Sequence, residues 1–122
     1  MEIVIKDLEN SVNARKFIDG SVRSAEILRT SYVGIGTYKP GWKWSEYAGK
    51  QTGRASENHI GYIISGSFVV KGASGKEEIV GPGQAFELSP GHDAWVCGDV
   101  PCVALDFGCM YSRTCIKVIG IA

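Results

Sequence analysis

The sequence predicts an all-β domain of antiparallel strands, packed as a sandwich or closed as a barrel, and two observations carry that prediction. Sixteen glycines in 122 residues exceed the usual share of about 7%. They fall between short runs of β-branched and aromatic residues, as they do when strands alternate with tight turns. The connections between runs are also short, whereas each parallel pairing needs a crossover of about a dozen residues or more. The length suits one domain with one core. A hydrophobic content of 44% is enough to fill that core and excludes intrinsic disorder.

In chain order, the runs that read as strands are Glu2–Lys6, Ala25–Leu28, Tyr32–Tyr38, His59–Ile64, Ser67–Lys71, Glu77–Val80, Gln84–Leu88, Ala94–Cys97, Cys102–Phe107 and Thr114–Ile119. Turn dipeptides punctuate them. Ser65-Gly66 joins two strong runs as a hairpin, Ser74-Gly75 joins the next two, and Gly98-Asp99 precedes another. Gly66 is placed there because a glycine reaches backbone angles that a Cβ forbids. Pro82 and Pro90 adjoin glycines and belong in turns, not in central strands. Only Leu8–Phe17 is open to a helix, and it has neither a cap nor a periodic apolar face. Ala48–Asn58 reads as a polar, glycine-containing loop expected to border a pocket mouth. The domain division is a single unit over 1–122. Within it, N-terminal strands and an irregular segment occupy 1–30, core motifs 31–107, and a C-terminal strand 108–122.

Thirteen basic and thirteen acidic residues cancel, so no electrostatic footprint for nucleic acid or an anionic membrane is expected. No apolar stretch approaches the roughly 20 residues that span a bilayer. Charged residues Glu2, Lys6 and Asp7 break the N-terminal run, unlike a secretion signal, and the expected location is the cytoplasm. Cys97, Cys102, Cys109 and Cys115 form no C-x-x-C pattern. In a reducing compartment they are expected to behave as small buried apolar residues.

Three pieces between His59 and Asp106 resemble the cupins: His59-Ile-Gly-Tyr-Ile-Ile-Ser-Gly66, Gly81-Pro-Gly83, and Leu88-Ser-Pro-Gly-His-Asp-Ala-Trp-Val96. Upstream, Pro40-Gly-Trp-Lys-Trp-Ser-Glu46 is similar to a subgroup of small cupins that carries Pro-Gly-Trp-x-Trp-Ser followed by Gly-His-Asp-Ala-Trp. The resemblance implies an antiparallel double-stranded β-helix, the jelly-roll barrel, whose lumen side chains can line. It also implies a metal site of two histidines and a glutamate in the first motif and a third histidine in the second. The sequence departs from that set, since it holds only two histidines. His59 falls where the family's glutamate stands, and Gly53, Arg54, Ala55 and Ser56 occupy the preceding histidine region. Ala94 takes the place of the third histidine, with His92 two residues before it and on the same face if the strand is already extended there.

The sequence therefore points first to a small-molecule-binding barrel with a degenerate metal site, its ligand-binding residues being His59, His92, Trp44, Ile63 and Trp42. Trp42 and Trp44, two residues apart, share one face of an extended segment, which suits a ligand wall, the core or a subunit interface. Strand alternation puts Ile63 on the face of His59, and Tyr62 on the other. No catalytic residue is assigned and no cofactor is required. The subgroup's occurrence alone and fused to signalling enzymes implies a sensing or regulatory role.

The alternative is an enzyme of the dioxygenase or isomerase type. It would hold a divalent transition metal on His59, His92 and a carboxylate, Glu46 first, with Glu57, Asp93 and Cys97 as further candidate ligands. A metal-free histidine base and a Cys97 or Cys102 nucleophile beside His92 are the lesser catalytic readings. A second alternative is an interaction protein with a filled barrel. The expected partners are an unknown small molecule and a second copy of the chain, paired through the edges formed by Met1–Lys6 or Thr114–Ile119.

Overall fold

The computed structural model describes residues 2–50 and 58–109. Its strands are β1 (Ala14–Lys16), β2 (Val22–Ile27), β3 (Ser31–Tyr38), β4 (His59–Ser65), β5 (Phe68–Lys71), β6 (Glu77–Val80), β7 (Ala85–Leu88), β8 (Asp93–Val96) and β9 (Cys102–Cys109). Every pairing is antiparallel. A six-stranded sheet runs β1-β2-β3-β9-β4-β7, and a three-stranded sheet runs β6-β5-β8. The fold is the all-β barrel that the sequence predicts. No helix among the described residues is long and apolar enough to cross a membrane.

Side-chain alternation and register together decide what faces the lumen. In the large sheet Arg15 pairs with Arg23, Arg23 with Gly36, Gly36 with Ala104, and Ala104 with Ile63. The next inward row joins Ala25, Gly34, Asp106, Gly61 and Phe86. His59, two residues from Gly61 on the same face, pairs with Leu88. The opposite face carries Tyr62, Ile64 and Phe107 out to solvent. From the small sheet, Phe68, Val80 and Val96 pair across three strands and are buried.

One end of the lumen is filled. Tyr38, Trp42, Phe68 and Phe17 form an aromatic knot, with ring centroids 4.4 Å apart for Tyr38–Trp42, 5.4 Å for Tyr38–Phe68 and 5.7 Å for Phe17–Trp42. Ile63 and Cys102 are wholly buried beside it.

Several expectations are corrected. Glu2–Lys6 is not a strand: the alternating pattern finds no partner, and Ile3 and Ile5 are 69% and 87% exposed. The first strand lies instead inside Leu8–Phe17. There the Asp7 carboxylate accepts hydrogen bonds from the Glu9 and Asn10 backbone N–H groups and closes a turn, after which Ala14–Lys16 pairs with β2. Ser65-Gly66 is not a hairpin, because β4 pairs with β7 and β9 while β5 belongs to the other sheet. Ser74-Gly75 does join a hairpin, β5 to β6. A π-helical turn, Ser45–Gly49, precedes and enters the expected loop Ala48–Asn58. Residues 51–57 of that loop, Glu57 among them, lie outside the described residues, as does the expected strand Thr114–Ile119.

Candidate ligand-binding site

A cavity of about 260 Å³ lies between the two sheets at the open end of the lumen. That is slightly below the range of about 300–1,000 Å³ of most ligand pockets. His59 from β4 and His92, from the turn before β8, meet in it edge to face, their ring centroids 5.8 Å apart. Phe86 stacks on His59 at 5.9 Å, and Trp44 lies 6.3 Å from His92.

The turn Ser89-Pro90-Gly91 bends the chain so that His92 Nδ1 lies 2.9 Å from the Ser89 carbonyl oxygen. A carbonyl only accepts, so Nδ1 carries the proton and, in the neutral ring, the lone pair sits on Nε2.

The tryptophans reach the cavity through a short extended segment. Trp44 N–H donates to the Ala94 carbonyl, and Val96 N–H donates to that of Trp42. Residues 42–44 thus lie along β8, with both indoles lining the cavity and Lys43 turned the other way, its Nζ 5.0 Å from the Trp95 ring centroid. Trp42 is buried, and its Nε1 has no hydrogen-bond partner among the described residues.

The polar centre was not among the residues singled out from the sequence. Asp106, 4% exposed, accepts from Arg23 Nε at 3.1 Å and from Arg23 Nη2 at 2.5 Å. Burial alone would depress the Arg23 guanidinium, but the hydrogen bond and charge of Asp106 outweigh it and raise its pKa. Burial lowers the pKa of His59. The Asp106 charge opposes that shift, and His92 and Arg23 add to it. Burial, followed by the Asp106 charge, pushes the Tyr38 phenol up. One signal for Asp106 was present in the sequence, a lone carboxylate inside the otherwise uncharged run Cys102–Phe107.

The remaining candidates lie elsewhere. Ile63 faces inward but is fully buried core and does not line the cavity. Glu46 is exposed on the π-helical turn, away from the lumen, because that turn carries it past the wall that Trp44 and Ala48 form. Asp93 accepts the Ser45 N–H at 3.0 Å and ties the same turn to β8. Neither Cys97 nor Cys102 lines the cavity.

Among the described residues, no group of three or more His, Cys, Asp or Glu side chains is placed to hold a metal. The inward carboxylate on the strand beside His59 is Asp106, and Arg23 already engages both of its oxygens. These residues offer two imidazoles where a metal centre ordinarily takes three protein ligands or more, so they do not fit the family's metal set.

This geometry defines a small cupin-type barrel domain, and comparison with solved structures agrees. The chain matches an RmlC-like cupin from Shewanella frigidimarina with a TM-score of 0.62 at 14% identity, over 89% of this chain and 92% of that one. It matches a cupin-superfamily sugar phosphate isomerase from Silicibacter pomeroyi with a TM-score of 0.63 at 17% identity, over 86% of this chain and 74% of that one. It also matches a protein of unknown function from Vibrio parahaemolyticus with a TM-score of 0.61 at 14% identity, covering 80% and 97% of the two chains. At these identities the likeness establishes the fold, which hosts enzymes and proteins of unknown function alike. No family model and no curated protein matches the sequence.

Proposed function

We propose that this chain is a binding barrel, sensing or regulatory in role, that takes a small molecule against the His59–His92 pair and requires no metal. One observation carries the reading. The lumen keeps a cavity of about 260 Å³ walled by aromatic rings, while its buried carboxylate is committed to Arg23. A cavity of that size also counts against a filled barrel acting only through its surface.

The enzyme reading draws on a different observation. His59 is held neutral by burial beside His92, and a neutral imidazole in a partly apolar pocket is a competent general base. That chemistry would be an acid–base isomerisation or elimination, with no step assigned to a metal.

Elemental mass spectrometry on tag-free protein purified without chelators, beside a His59→Ala/His92→Ala variant, tests the proposal. Substoichiometric metal, unchanged in the variant, is the expected outcome, together with a small molecule released on denaturation. Near one equivalent of a single transition metal, lost in the variant, would overturn it.

A homodimer belongs to the same reading. Tyr62 and Ile64 on β4 and Phe107 on the adjacent β9 stand exposed on one outer face, with Glu87 of β7 at its edge beside Ile60. An isologous contact would cover such a face with the same face of a second copy.

A further inference from the structure

We propose that the cavity selects a small organic monoanion, a carboxylate on a flat apolar body, with Arg15 as the residue that reads the charge. The inference rests on the cavity being a ligand site and adds the chemical class of the ligand.

The charges on the wall come first. Among the described residues, the Arg, Lys, Asp and Glu side chains lining the cavity are Arg15, Arg23 and Asp106. Arg15 and Arg23 stand opposite each other in the β1–β2 register and face the same way. Asp106 is spent on Arg23 through two hydrogen bonds. Arg15 has no carboxylate partner among the described residues, and burial keeps His59 neutral. Among the described residues, one positive charge is left without a carboxylate partner at the β1 side of the cavity. It matches one negative charge, which favours a carboxylate over a dianionic phosphate ester.

The hydrogen-bond inventory agrees. The wall's strongest acceptor, Asp106, is already engaged. The Arg15 guanidinium on that wall favours a ligand that brings an acceptor. The rest of the wall sets the ligand's body. Trp44, Phe86 and Leu88 are apolar surfaces around the two imidazoles, and the volume of about 260 Å³ restricts the ligand to roughly one ring and its substituents.

The test uses three probes of one shape and different charge: benzoate, benzamide and benzamidinium. Binding to the purified protein is read from tryptophan fluorescence and from amide shifts of the residues around His59 and His92. Benzoate should bind at least about tenfold tighter than benzamide, as expected of a charge-assisted hydrogen bond, and benzamidinium weakest. Phenyl phosphate should bind more weakly than benzoate. Arg15→Gln should abolish the preference for benzoate over benzamide and Arg15→Lys should keep part of it, both at unchanged Tm, since Arg15 is exposed and unpaired among the described residues. Equal or tighter binding of benzamide or benzamidinium would overturn the monoanion inference and leave the binding reading standing. So would a benzoate preference that survives in Arg15→Gln. Tighter binding of phenyl phosphate would replace the monoanion by a dianion. No binding of any probe at millimolar concentration, with cavity resonances unmoved, would overturn the inference and the binding reading together.

Discussion

Arg23 on β2 grips Asp106 on β9 across an intervening strand, and Gly34 of β3 is what lets it pass. The two residues are 83 positions apart in sequence. Gly34 pairs with Asp106 on one side and with Ala25, two residues from Arg23, on the other. A Cβ built on Gly34 would sit 2.6 Å from Asp106 Oδ1 and 2.9 Å from Arg23 Nη2. The missing side chain is therefore the channel through which a charged pair crosses the floor of the barrel. The pair stitches β2 to β9, places charge under the histidines, and leaves Arg15 on the cavity wall without a carboxylate partner among the described residues.

Breaking one half of the pair should cost more than breaking a surface ion pair would. Asp106→Asn is expected to destabilise by about 2–3 kcal/mol, at or just below the range of about 3–5 kcal/mol for a fully buried pair, because the Arg23 side chain is 27% exposed. In a chain of 122 residues that lowers Tm by roughly 10 °C. Gly34→Ala should destabilise through the same contact, so the double variant should fall well short of additivity. Full additivity in thermal or urea unfolding would mean that Gly34 and Asp106 act independently.

The strands themselves were legible in the sequence, and their pairings were not. Tyr32–Tyr38, Glu77–Val80 and Cys102–Phe107 read as strands from composition and appear within a residue or two of the expected bounds. Ser65-Gly66 has the chemistry of a hairpin turn, yet it carries the chain from one sheet to the other, because local propensity does not encode which distant edge a strand finds. The site divides the same way. His59 and His92, singled out by motif spacing, and Trp42 and Trp44, singled out with strand alternation, line the cavity. The Arg23–Asp106 pair depends on a β2-β3-β9 register that no local window contains. Glu2–Lys6 has the right pattern for a strand and lacks a partner, which an alternating sequence does not disclose.

Acid should loosen the fold through His59 before it acts on the carboxylates. The folded imidazole has a pKa below its ordinary 6.5, so as pH falls through 6.5 the unfolded chain takes the proton first. Stability is then full above that pH and declines below it until the folded pKa is reached. The charged and titratable groups named around it, Asp106, His92 and Arg23, come from β9, the turn before β8, and β2. Hydrogen bonds, from Asn10 to Asp7 and from Ser11 to Glu26 first, hold those two carboxylates below their ordinary values of 3.8 and 4.5, so their contributions fade only at lower pH. Urea unfolding between pH 7.5 and 5 should show a decline that His59→Gln flattens. An equal decline in the variant would assign it to another group.

Cys102 should behave as a buried apolar residue. Burial pushes its thiol up to about 12, leaving almost no thiolate at pH 8, and it is fully buried. Alkylation followed by peptide mapping should leave Cys102 unmodified in the folded protein and modify it in urea, while the half-buried Cys97 reacts earlier. Early labelling of Cys102 would show that the β3–β9 seam opens.

A charge placed on the outer face of β4 should reveal the dimer. Ile64 is 45% exposed and Tyr62 38% exposed, so Ile64→Lys removes little core packing, yet in a dimer it would set two like charges across a two-fold contact. Light scattering should report a dimer for the wild type and a monomer for Ile64→Lys, with Tm changed only to the extent that it depends on protein concentration. A wild-type monomer at high micromolar concentration would remove this face as a homodimer interface.

Gly66 is the corner on which the two sheets depend, and two separate constraints act there. Its φ is +71°, in the left-handed region, where a Cβ costs roughly 1–2 kcal/mol. A Cβ would also lie 2.2 Å from the Pro101 carbonyl oxygen and 2.7 Å from Cys102 Cα, backbone atoms at the start of β9 that no rotamer change can move aside. Overpacking of that kind adds roughly 1–3 kcal/mol, so Gly66→Ala should lose about 2–5 kcal/mol. Gly75 offers the control. It shares a positive φ of +94° but has no atom within 4 Å of a built Cβ, so Gly75→Ala should lose only the conformational part, about 1–2 kcal/mol. Measured by urea unfolding, a clear gap between the two variants would assign the excess to the contact with β9. Equal losses would show that the corner relaxes and that the close approach of β4 and β9 beside Gly66 is not what fixes the crossing between sheets.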